Sequence, residues 1–236
     1  MTFRGTMVAL VAELRNETGF LRRAAAEALE SVNDPRRIPP LLAAARDPDA
    51  TVRVSAIYAL ANEVTSDVAT MLMNSFRDQD PQVRLAAAEV LAKWEDPAYM
   101  PCFFDLLADS HFEVRLTAVK FLAKRRDPAA AEVLLPLLQD ADNDVRLTVA
   151  QALGAVANPV AIEALVLALT DEERVVRDAA AKALEQIDAN WANTDSAQRM
   201  TAQLEASLQD QRAWVRSAAM QALARLRAPD GQMQVS

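Results

Sequence analysis

Apolar and polar residues alternate along this chain in a pattern that returns about every 31 residues. An arginine marks the phase of the pattern, at positions 22, 53, 84, 115, 146, 177 and 216. Apolar residues stand one position before each arginine and three and seven positions after it, and the residue at +7 is always leucine. These positions share one face of a helix with about 3.6 residues per turn. The pattern therefore predicts one amphipathic helix in each of seven repeats.

A second helix is predicted between these amphipathic helices. In most repeats an Asp-Pro or Asn-Pro pair stands thirteen positions after the arginine, as in Asp96-Pro97. The Asp or Asn side chain can cap a new helix, and proline is tolerated in its first turn because its missing N–H has no partner there. Each repeat is thus a hairpin whose first helix precedes the arginine-bearing second helix. Kinks are expected in three first helices, at Pro40, Pro101 and Pro136.

A hairpin of this size cannot bury its apolar face alone, so stacked neighbours must share one core. We therefore predict an all-α fold, an α-solenoid of seven hairpins and 14 helices wound as a right-handed superhelix. The first helices would lie on the convex side and the second helices on the concave side. One domain is expected over residues 1–227, with a loop insertion at about 188–196 and a disordered tail at 228–236.

Charge and composition narrow the possible functions. A net charge of −8 argues against a nucleic-acid binder, which needs an excess of Lys and Arg. One Cys and one His leave no disulfide framework and no multi-histidine metal centre. No apolar run reaches the roughly 18 residues that cross a membrane, and no signal peptide is evident. We expect a cytoplasmic protein without a metal or cofactor.

The string from Asp78 to Leu91, Asp-Gln-Asp-Pro-Gln-Val-Arg-Leu-Ala-Ala-Ala-Glu-Val-Leu, resembles the short HEAT repeat of bacteria and archaea, the subtype named after phycobilisome lyases. The resemblance runs from about Thr2 to Leu226 and implies a fold more than a function. In that family the turn aspartate and the second-helix arginine are framework residues that bridge neighbouring repeats. The resemblance gives this role to Asp47, Arg53, Asp78, Arg84, Asp109, Arg115, Asp140, Arg146, Asp171, Arg177, Asp210 and Arg216.

The predicted function is that of a non-catalytic scaffold. Solenoids offer extended faces to partners, and no set of acid, base, nucleophile and metal ligands goes beyond what the framework needs. The expected partner is another protein or peptide, bound by a monomer. The resemblance also implies an alternative, a bilin lyase or chromophore-binding helper. Two other activities of related folds are not favoured: deoxyhypusine hydroxylases need repeated His-Glu pairs, which the chain lacks, and DNA glycosylases need a basic face.

The partner-binding surface is predicted on the second helices, at positions +1, +5 and +9 from the arginine. The middle repeats carry apolar residues at +1, with mostly polar residues at +5 and +9. Such a surface fits a groove for an apolar segment. Alternatively, the +1 side chains pack against the adjacent second helix and are half-buried. This candidate surface comprises Val54, Tyr58, Leu85, Glu89, Lys93, Leu116, Lys120, Lys124, Leu147 and Gln151.

Four further positions stand out from the repeat. Trp191, in the insertion, either covers apolar surface or is an exposed anchor for a partner. In the same insertion, Asp195 or Ser196 can cap the following helix. His111 is expected to face solvent in a turn, and Cys102 is expected to be a buried, inert thiol.

Overall fold

The computed structural model describes the backbone of residues 3–227 and the side chains of residues 7–227. Every regular element in that range is helical, and the elements follow one another as seven hairpins, in the last of which the first helix is divided into two segments, Asp195–Arg199 and Thr201–Ser207. The prediction of an all-α fold built from helical hairpins is therefore confirmed. The predicted tail, 228–236, lies outside the described residues.

Contacts between Cα atoms group the chain into two compact units, an N-terminal unit of Met1–Thr117 and a C-terminal unit of Ala118–Ser236. The division falls inside the second helix of the fourth hairpin, so that a single domain over 1–227 stays a prediction. The helices that begin in the N-terminal unit are α1 Phe3–Glu13, α2 Gly19–Glu30, α3 Ile38–Ala44, α4 Ala50–Ala59, α5 Ser66–Ser75, α6 Pro81–Lys93, α7 Met100–Leu106 and α8 Phe112–Arg125.

The C-terminal unit continues the same alternation. Its helices are α9 Ala129–Leu134, α10 Asn143–Val156, α11 Ile162–Ala168, α12 Arg174–Ile187, α13 Asp195–Arg199, α14 Thr201–Ser207 and α15 Ala213–Arg227. Short 3-10 turns accompany five of the first helices, at Pro35–Arg37, Pro97–Tyr99, Leu135–Gln139, Pro159–Ala161 and Trp191–Asn193.

Second helices pack on second helices within each unit. In the N-terminal unit α2 contacts α4, and α4 contacts α6, while α1, α3 and α5 each pack on the second helix of their own hairpin. In the C-terminal unit α10 packs along α12. The last second helix differs, because α15 packs mainly on α14 and on the 3-10 turn at 191–193.

The core of each hairpin is the apolar stripe that the sequence predicts. The leucine at +7 is at most 3% exposed in every hairpin, as are the residues at +3. The valines at −1 are buried as well, and the exception is Leu21 of the first hairpin, which is 40% exposed. Because positions +3 and +7 are buried in all seven hairpins and position −1 in six of them, the helical period that predicted them holds along the described chain.

Aspartates cap the second helices as predicted. Asp49, Asp80 and Asp142 each have extended backbone, and their carboxylates accept hydrogen bonds from the amides two residues later. The Asp-Pro and Asn-Pro pairs act in the same way at the first helices, where Asp96 and Asn158 are the caps. These first helices open with a 3-10 turn rather than with an α-helical turn.

The prolines inside the first helices do more than kink them. Pro40 and Pro101 lie in the first turn of α3 and α7, each directly after a 3-10 turn, and Pro136 lies in the 3-10 turn that follows α9. A proline has no N–H to donate, and its ring collides with the carbonyl four residues earlier, so an α-helix does not extend more than one turn before it. α3 and α7 accordingly begin within two residues of their prolines, and α9 ends before Pro136.

The predicted loop insertion contains its own turn of helix. Trp191 begins the 3-10 turn at 191–193 and is only 6% exposed, which confirms that it covers apolar surface. The cap of the following helix differs from the prediction: Thr194 Oγ1 accepts a hydrogen bond from the Ala197 amide, in place of Asp195 or Ser196. Thr194 has extended backbone, as a cap requires, whereas Asp195 and Ser196 already belong to α13.

Candidate functional site

The candidate surface in the N-terminal unit lies on α4, α6 and the start of α8. Val54, Leu85 and Leu116 occupy the same position of three successive second helices, and all three are half-buried. Such burial leaves part of each side chain accessible to a partner, and it also fits packing between neighbouring second helices. The assignment of these residues to a partner therefore stays a prediction.

A polar contact accompanies the apolar residues of the N-terminal unit. The Tyr58 hydroxyl, on α4, donates a 2.7 Å hydrogen bond to the Glu89 carboxylate on α6. Burial, together with this bond to an anionic neighbour, raises the pKa of Tyr58. Tyr58 therefore stays a neutral donor, and the contact ties α4 to α6 at position +5. Lys93, one turn further along α6, is exposed.

The C-terminal unit carries the other candidate residues. Leu147 on α10 is half-buried, like its counterparts in the N-terminal unit, and Gln151, one turn later, is exposed. Lys120 and Lys124 are exposed on the part of α8 that belongs to this unit. Leu147 at +1 is thus followed by an exposed polar residue at +5, whereas Lys120 and Lys124 follow Leu116, which lies in the N-terminal unit.

The arginines that set the repeat phase form ion pairs between successive hairpins. In each pair Nε and Nη2 of the arginine grip both oxygens of the aspartate 25 residues later, over 2.6 to 3.1 Å. The side chains are 7–16% exposed. Bidentate pairs of this kind are among the strongest charge-assisted contacts. The pairs are Arg22–Asp47, Arg53–Asp78, Arg84–Asp109 and Arg146–Asp171. We call this series the arginine ladder.

Each ladder arginine is also anchored to the turn of its own hairpin. Nη1 of Arg84, for example, donates to the carbonyl oxygens of Asp78 at 2.9 Å and Gln79 at 3.3 Å. Arg115 makes the same kind of bond to the Asp109 carbonyl at 2.8 Å. One guanidinium group therefore fixes both the turn before its own helix and, where the ion pair forms, the turn of the next hairpin.

The ladder aspartates receive a further bond from the backbone. Oδ1 of each accepts from the amide two residues later, and at Asp109 the donor is the His111 amide at 2.8 Å. Burial alone would raise the pKa of Asp47 and Asp109. The hydrogen bonds from arginine and amide outweigh it, so the pKa of each carboxyl lies below its ordinary value.

These lowered pKa values predict an acid-sensitive fold. A carboxylate whose pKa is lower in the folded state stabilises the protein above its unfolded pKa of about 3.9, and this stabilisation is lost as pH falls through the folded value. We expect the free energy of unfolding to fall steadily below about pH 4. Urea titrations followed by circular dichroism from pH 6 downward measure this, and a stability that stays constant below pH 4 would contradict it.

The ladder is interrupted at Arg177. Its Nη1 is anchored to the carbonyls of Asp171 and Glu172 at 2.6 and 2.9 Å, as in the other hairpins. Within residues 7–227, however, Nε and Nη2 have no carboxylate partner. Asp210 pairs instead with Arg212, whose Nε and Nη2 each lie 2.9 Å from a carboxylate oxygen. That contact, with a bond from the Arg212 amide, lowers the pKa of Asp210 to about 2.

The interruption has a cause that is visible in the sequence. The next phase arginine, Arg216, follows Arg177 after 39 residues instead of 31, and the position 25 residues after Arg177 is Ala202. The insertion at 188–196 thus removes the aspartate from its ladder position. Arg216, in the last hairpin, is anchored to the Asp210 and Gln211 carbonyls.

Two contacts of the framework were not predicted because they occur only once. Arg37, 6% exposed, donates to the Ala59 carbonyl at 2.6 Å and to Glu63 at 2.7 Å. The indole Nε1 of Trp94 donates to the Ala61 carbonyl at 2.8 Å. Neither contact repeats at a period of 31 residues, so the repeat pattern offers no signal for them.

The single histidine and cysteine are placed close to expectation. His111 is exposed in the turn before α8, and its Nδ1 lies 3.3 Å from the Ser110 hydroxyl. Cys102 is half-buried rather than fully buried, and its sulfur lies 3.5 Å from that of Met73. In the described part of the chain no three His, Cys, Asp or Glu side chains cluster as metal ligands would. None of the described helices has the length and apolar character needed to span a membrane.

Solved structures with the same fold include natural and engineered proteins. YibA of Escherichia coli is 18% identical with a TM-score of 0.66, over 95% of this chain and 82% of YibA. An engineered protein is 24% identical with a TM-score of 0.56, over 95% and 68% of the two chains. The complex of CpcE and CpcF of phycocyanin lyase from Nostoc sp. PCC7120 is 21% identical with a TM-score of 0.53, and the match covers 93% of this chain and 93% of that one. At these identities the likeness shows the fold alone.

The sequence comparisons agree with the hairpin architecture. No curated protein sequence matches the chain. A family model for HEAT repeats matches it over residues 7–78, 69–146 and 131–224. The resemblance drawn from the repeat at 78–91 is thereby confirmed. Because the matched segments together cover residues 7–224, which include the helices, the buried stripe and the arginine ladder, the chain belongs to the HEAT-repeat family.

Proposed function

We propose that this chain is a non-catalytic scaffold that binds a segment of another protein on the candidate surface of its second helices. HEAT repeats generally serve protein interaction, and the proposal concerns which face is used and by what chemistry. The observation that carries it is the arrangement on α4 and α6. Val54 and Leu85 stand at the same position of two contacting helices, half-buried, beside the polar pair of Tyr58 and Glu89.

This arrangement suits an apolar segment with polar neighbours. Half-buried Val54 and Leu85 keep apolar carbon accessible without creating a large exposed patch, which soluble proteins avoid. The hydrogen bond between Tyr58 and Glu89 holds two polar side chains in place without a partner, so less side-chain entropy is lost when a partner binds. Accessible Lys93 adds a positive charge one turn away. A partner helix or extended segment with an apolar stripe and an acidic edge matches these features.

The test is partner capture with surface variants. Full-length protein carrying Leu85→Glu or Leu116→Glu is compared with wild type as bait in extracts of the native source, with crosslinking and mass spectrometry to identify what is bound. We expect a protein that is crosslinked near α4 and α6 of wild type to be lost from both variants, because a charge at +1 opposes burial of an apolar segment.

A matched control separates binding from folding. Thr70→Glu places the same charge on an exposed position of a first helix, α5, and should leave capture unchanged. Helical content and melting temperature of the Leu85 and Leu116 variants should stay close to those of wild type. If these variants lose cooperative unfolding, the +1 residues belong to the core; if they bind the same partners as wild type, the surface is not the binding face. Either result contradicts the proposal.

The chromophore-lyase alternative has a simple measurement of its own. The likeness to phycocyanin lyase extends to the fold alone at 21% identity, so it does not transfer that activity. Mixing the chain with a bilin and separating free pigment by gel filtration tests the alternative. A red-shifted absorbance that stays with the protein would overturn the non-catalytic scaffold in favour of a chromophore-handling protein.

A further inference from the structure

The C-terminal unit contains an open cavity of about 450 Å³ between α12 and α15. A leucine and two alanines line part of it, and the remainder is polar and charged, formed by Arg174, Arg177, Asp178, Gln221 and Arg225. Three arginines thus face one aspartate, in a chain whose net charge is −8. A local excess of positive charge in an acidic protein marks this cavity as a place where an anion is stabilised.

Arg177, which lines this cavity, is one of the arginines whose position in the helix elsewhere binds a carboxylate. Its counterpart Arg146 is anchored through Nη1 to the Asp140 carbonyl at 2.8 Å and grips Asp171 with Nε and Nη2 at 2.8 and 3.1 Å. Arg177 keeps the anchor, on the carbonyls of Asp171 and Glu172, but Nε and Nη2 have no acceptor among the described residues. The donor half of a bidentate contact is therefore in place without its carboxylate.

The cavity exists because the helices around it separate. α10 packs along α12, whereas α15 packs on α14 and on the 3-10 turn of the insertion. Asp210, which the repeat would have brought to Arg177, is held by Arg212 instead. The space and the unsatisfied edge thus have the same origin, the insertion of residues 188–196.

The other charges of the cavity are compatible with an incoming anion. The carboxylate among the lining residues, Asp178, is paired with Arg174, whose Nε lies 3.5 Å from Oδ2. Arg225 makes no ion pair within the described chain and is half-buried at the cavity. An anion bound to Arg177 would therefore meet a second unpaired guanidinium group and only one carboxylate, which is partly neutralised.

We propose that this cavity binds a carboxylate of a partner polypeptide, presented as an aspartate turn like those that occupy the same arginine edge in other hairpins. The preference for carboxylate over other anions follows from this chain itself. Four arginines with the same backbone anchor grip a carboxylate through Nε and Nη2. In each turn the aspartate also accepts the amide two residues later, which presents its oxygens in a fixed orientation. The inference goes beyond the proposed scaffold function and does not depend on it.

The experiment measures binding of a model aspartate turn to the full chain. The probe is a fluorescein-labelled, end-capped peptide with the sequence of residues 78–83, Asp-Gln-Asp-Pro-Gln-Val, and binding is followed by fluorescence anisotropy. We expect saturable binding that weakens at least tenfold, about 1.4 kcal/mol, with Arg177→Met and with a peptide in which both aspartates are replaced by asparagine. Raising the salt concentration should weaken it further.

Matched variants make the result specific to the cavity. Arg126→Met removes an exposed arginine of the same unit that belongs neither to the ladder nor to the cavity lining, and should leave peptide affinity unchanged. Arg225→Gln lies in the cavity but outside the ladder and should weaken binding several-fold. If Arg177→Met alters the circular dichroism spectrum or the melting temperature, the peptide affinity of Arg225→Gln is the measurement that tests the cavity.

Three outcomes would overturn the proposal. The first is that Arg225→Gln and a folded Arg177→Met both bind the peptide with the affinity of wild type. The second is the absence of saturable binding by wild type up to about 1 mM peptide, the weak limit of specific recognition. The third is displacement of the peptide by inorganic phosphate at lower concentration than by acetate, which would make the cavity a phosphate site.

Discussion

Replacing Arg84 with methionine should lower the free energy of unfolding by about 3 to 5 kcal/mol. Arg84 and Asp109 are nearly buried, and the arginine holds both oxygens of Asp109 at 2.6 and 2.8 Å. Methionine keeps much of the side-chain volume but leaves the carboxylate without its cation, and an uncompensated buried charge is far more costly than a missing pair. Urea unfolding followed by circular dichroism measures the change.

The chain provides a control for this variant in Arg177→Met. Arg177 has the same position in its helix and the same backbone anchor but no carboxylate, so its loss should cost only about 1 kcal/mol. The double variant Arg84→Met, Asp109→Asn should recover part of the lost free energy of unfolding. Its asparagine has no charge, and its side-chain oxygen can still accept the hydrogen bond from the backbone amide of His111. Equal losses at Arg84 and Arg177 would show that the ladder contact contributes little.

The difference between wild type and Arg84→Met should also depend on pH. Without Arg84, burial raises the pKa of Asp109, so this carboxyl takes up a proton at a higher pH in the variant than in wild type. Protonation removes the buried charge, and the stability difference should therefore narrow below about pH 4.

Substituting Gly154 with alanine should destabilise the C-terminal unit by about 1 to 3 kcal/mol, although alanine is the better helix former by about 1 kcal/mol. Gly154 lies in α10 where α10 packs along α12. A Cβ atom there would stand 2.8 Å from Cα and 2.9 Å from Cβ of Ala183. Because the first of these atoms belongs to the backbone of α12, the two helices must move apart to relieve the contact.

Gly19→Ala is the matched control. At Gly19 the nearest atom to a new Cβ is Oδ2 of Asp49, at 2.5 Å, which is the mobile end of a side chain. The substitution should therefore change the free energy of unfolding much less than at Gly154. A stabilised Gly154→Ala would mean that helix propensity outweighs the close approach of α10 and α12.

Most of the fold could be predicted because the same physical requirement recurs in each repeat. Burial of leucine at +7 and of valine at −1 follows from the helical period, and capping by Asp80 and Asp142 follows from side-chain chemistry that needs no distant contact. The sequence did not predict that several first helices begin with a 3-10 turn, because the Asp-Pro and Asn-Pro pairs are compatible with either kind of helical turn.

The candidate site was less predictable than the fold. Register alone cannot decide how much of Leu85 a neighbouring helix covers, so the sequence left two interpretations of position +1 open, and half-burial agrees with both. The resemblance gave Arg177 and Asp210 a bridging role, and the structure shows Asp210 paired with Arg212 instead; the 39-residue spacing and Ala202 are the sequence signal of this change, whereas the cavity depends on the packing of α15. The contact between Arg37 and Glu63 had no counterpart from which to infer it.

The arginine ladder also bears on how such a chain can lengthen or shorten during evolution. Each hairpin after the first carries an acceptor, the turn aspartate, for the hairpin before it, and every hairpin carries a donor, the arginine, for the hairpin after it. Duplicating or deleting a whole 31-residue module joins a donor to an acceptor again, and no charge is stranded between hairpins. An insertion shorter than one module, such as the one before the last hairpin, breaks this compatibility and leaves one arginine without its aspartate. Selection on framework stability alone therefore favours growth in whole modules, and such an arginine, where it persists, is a place to look for a function.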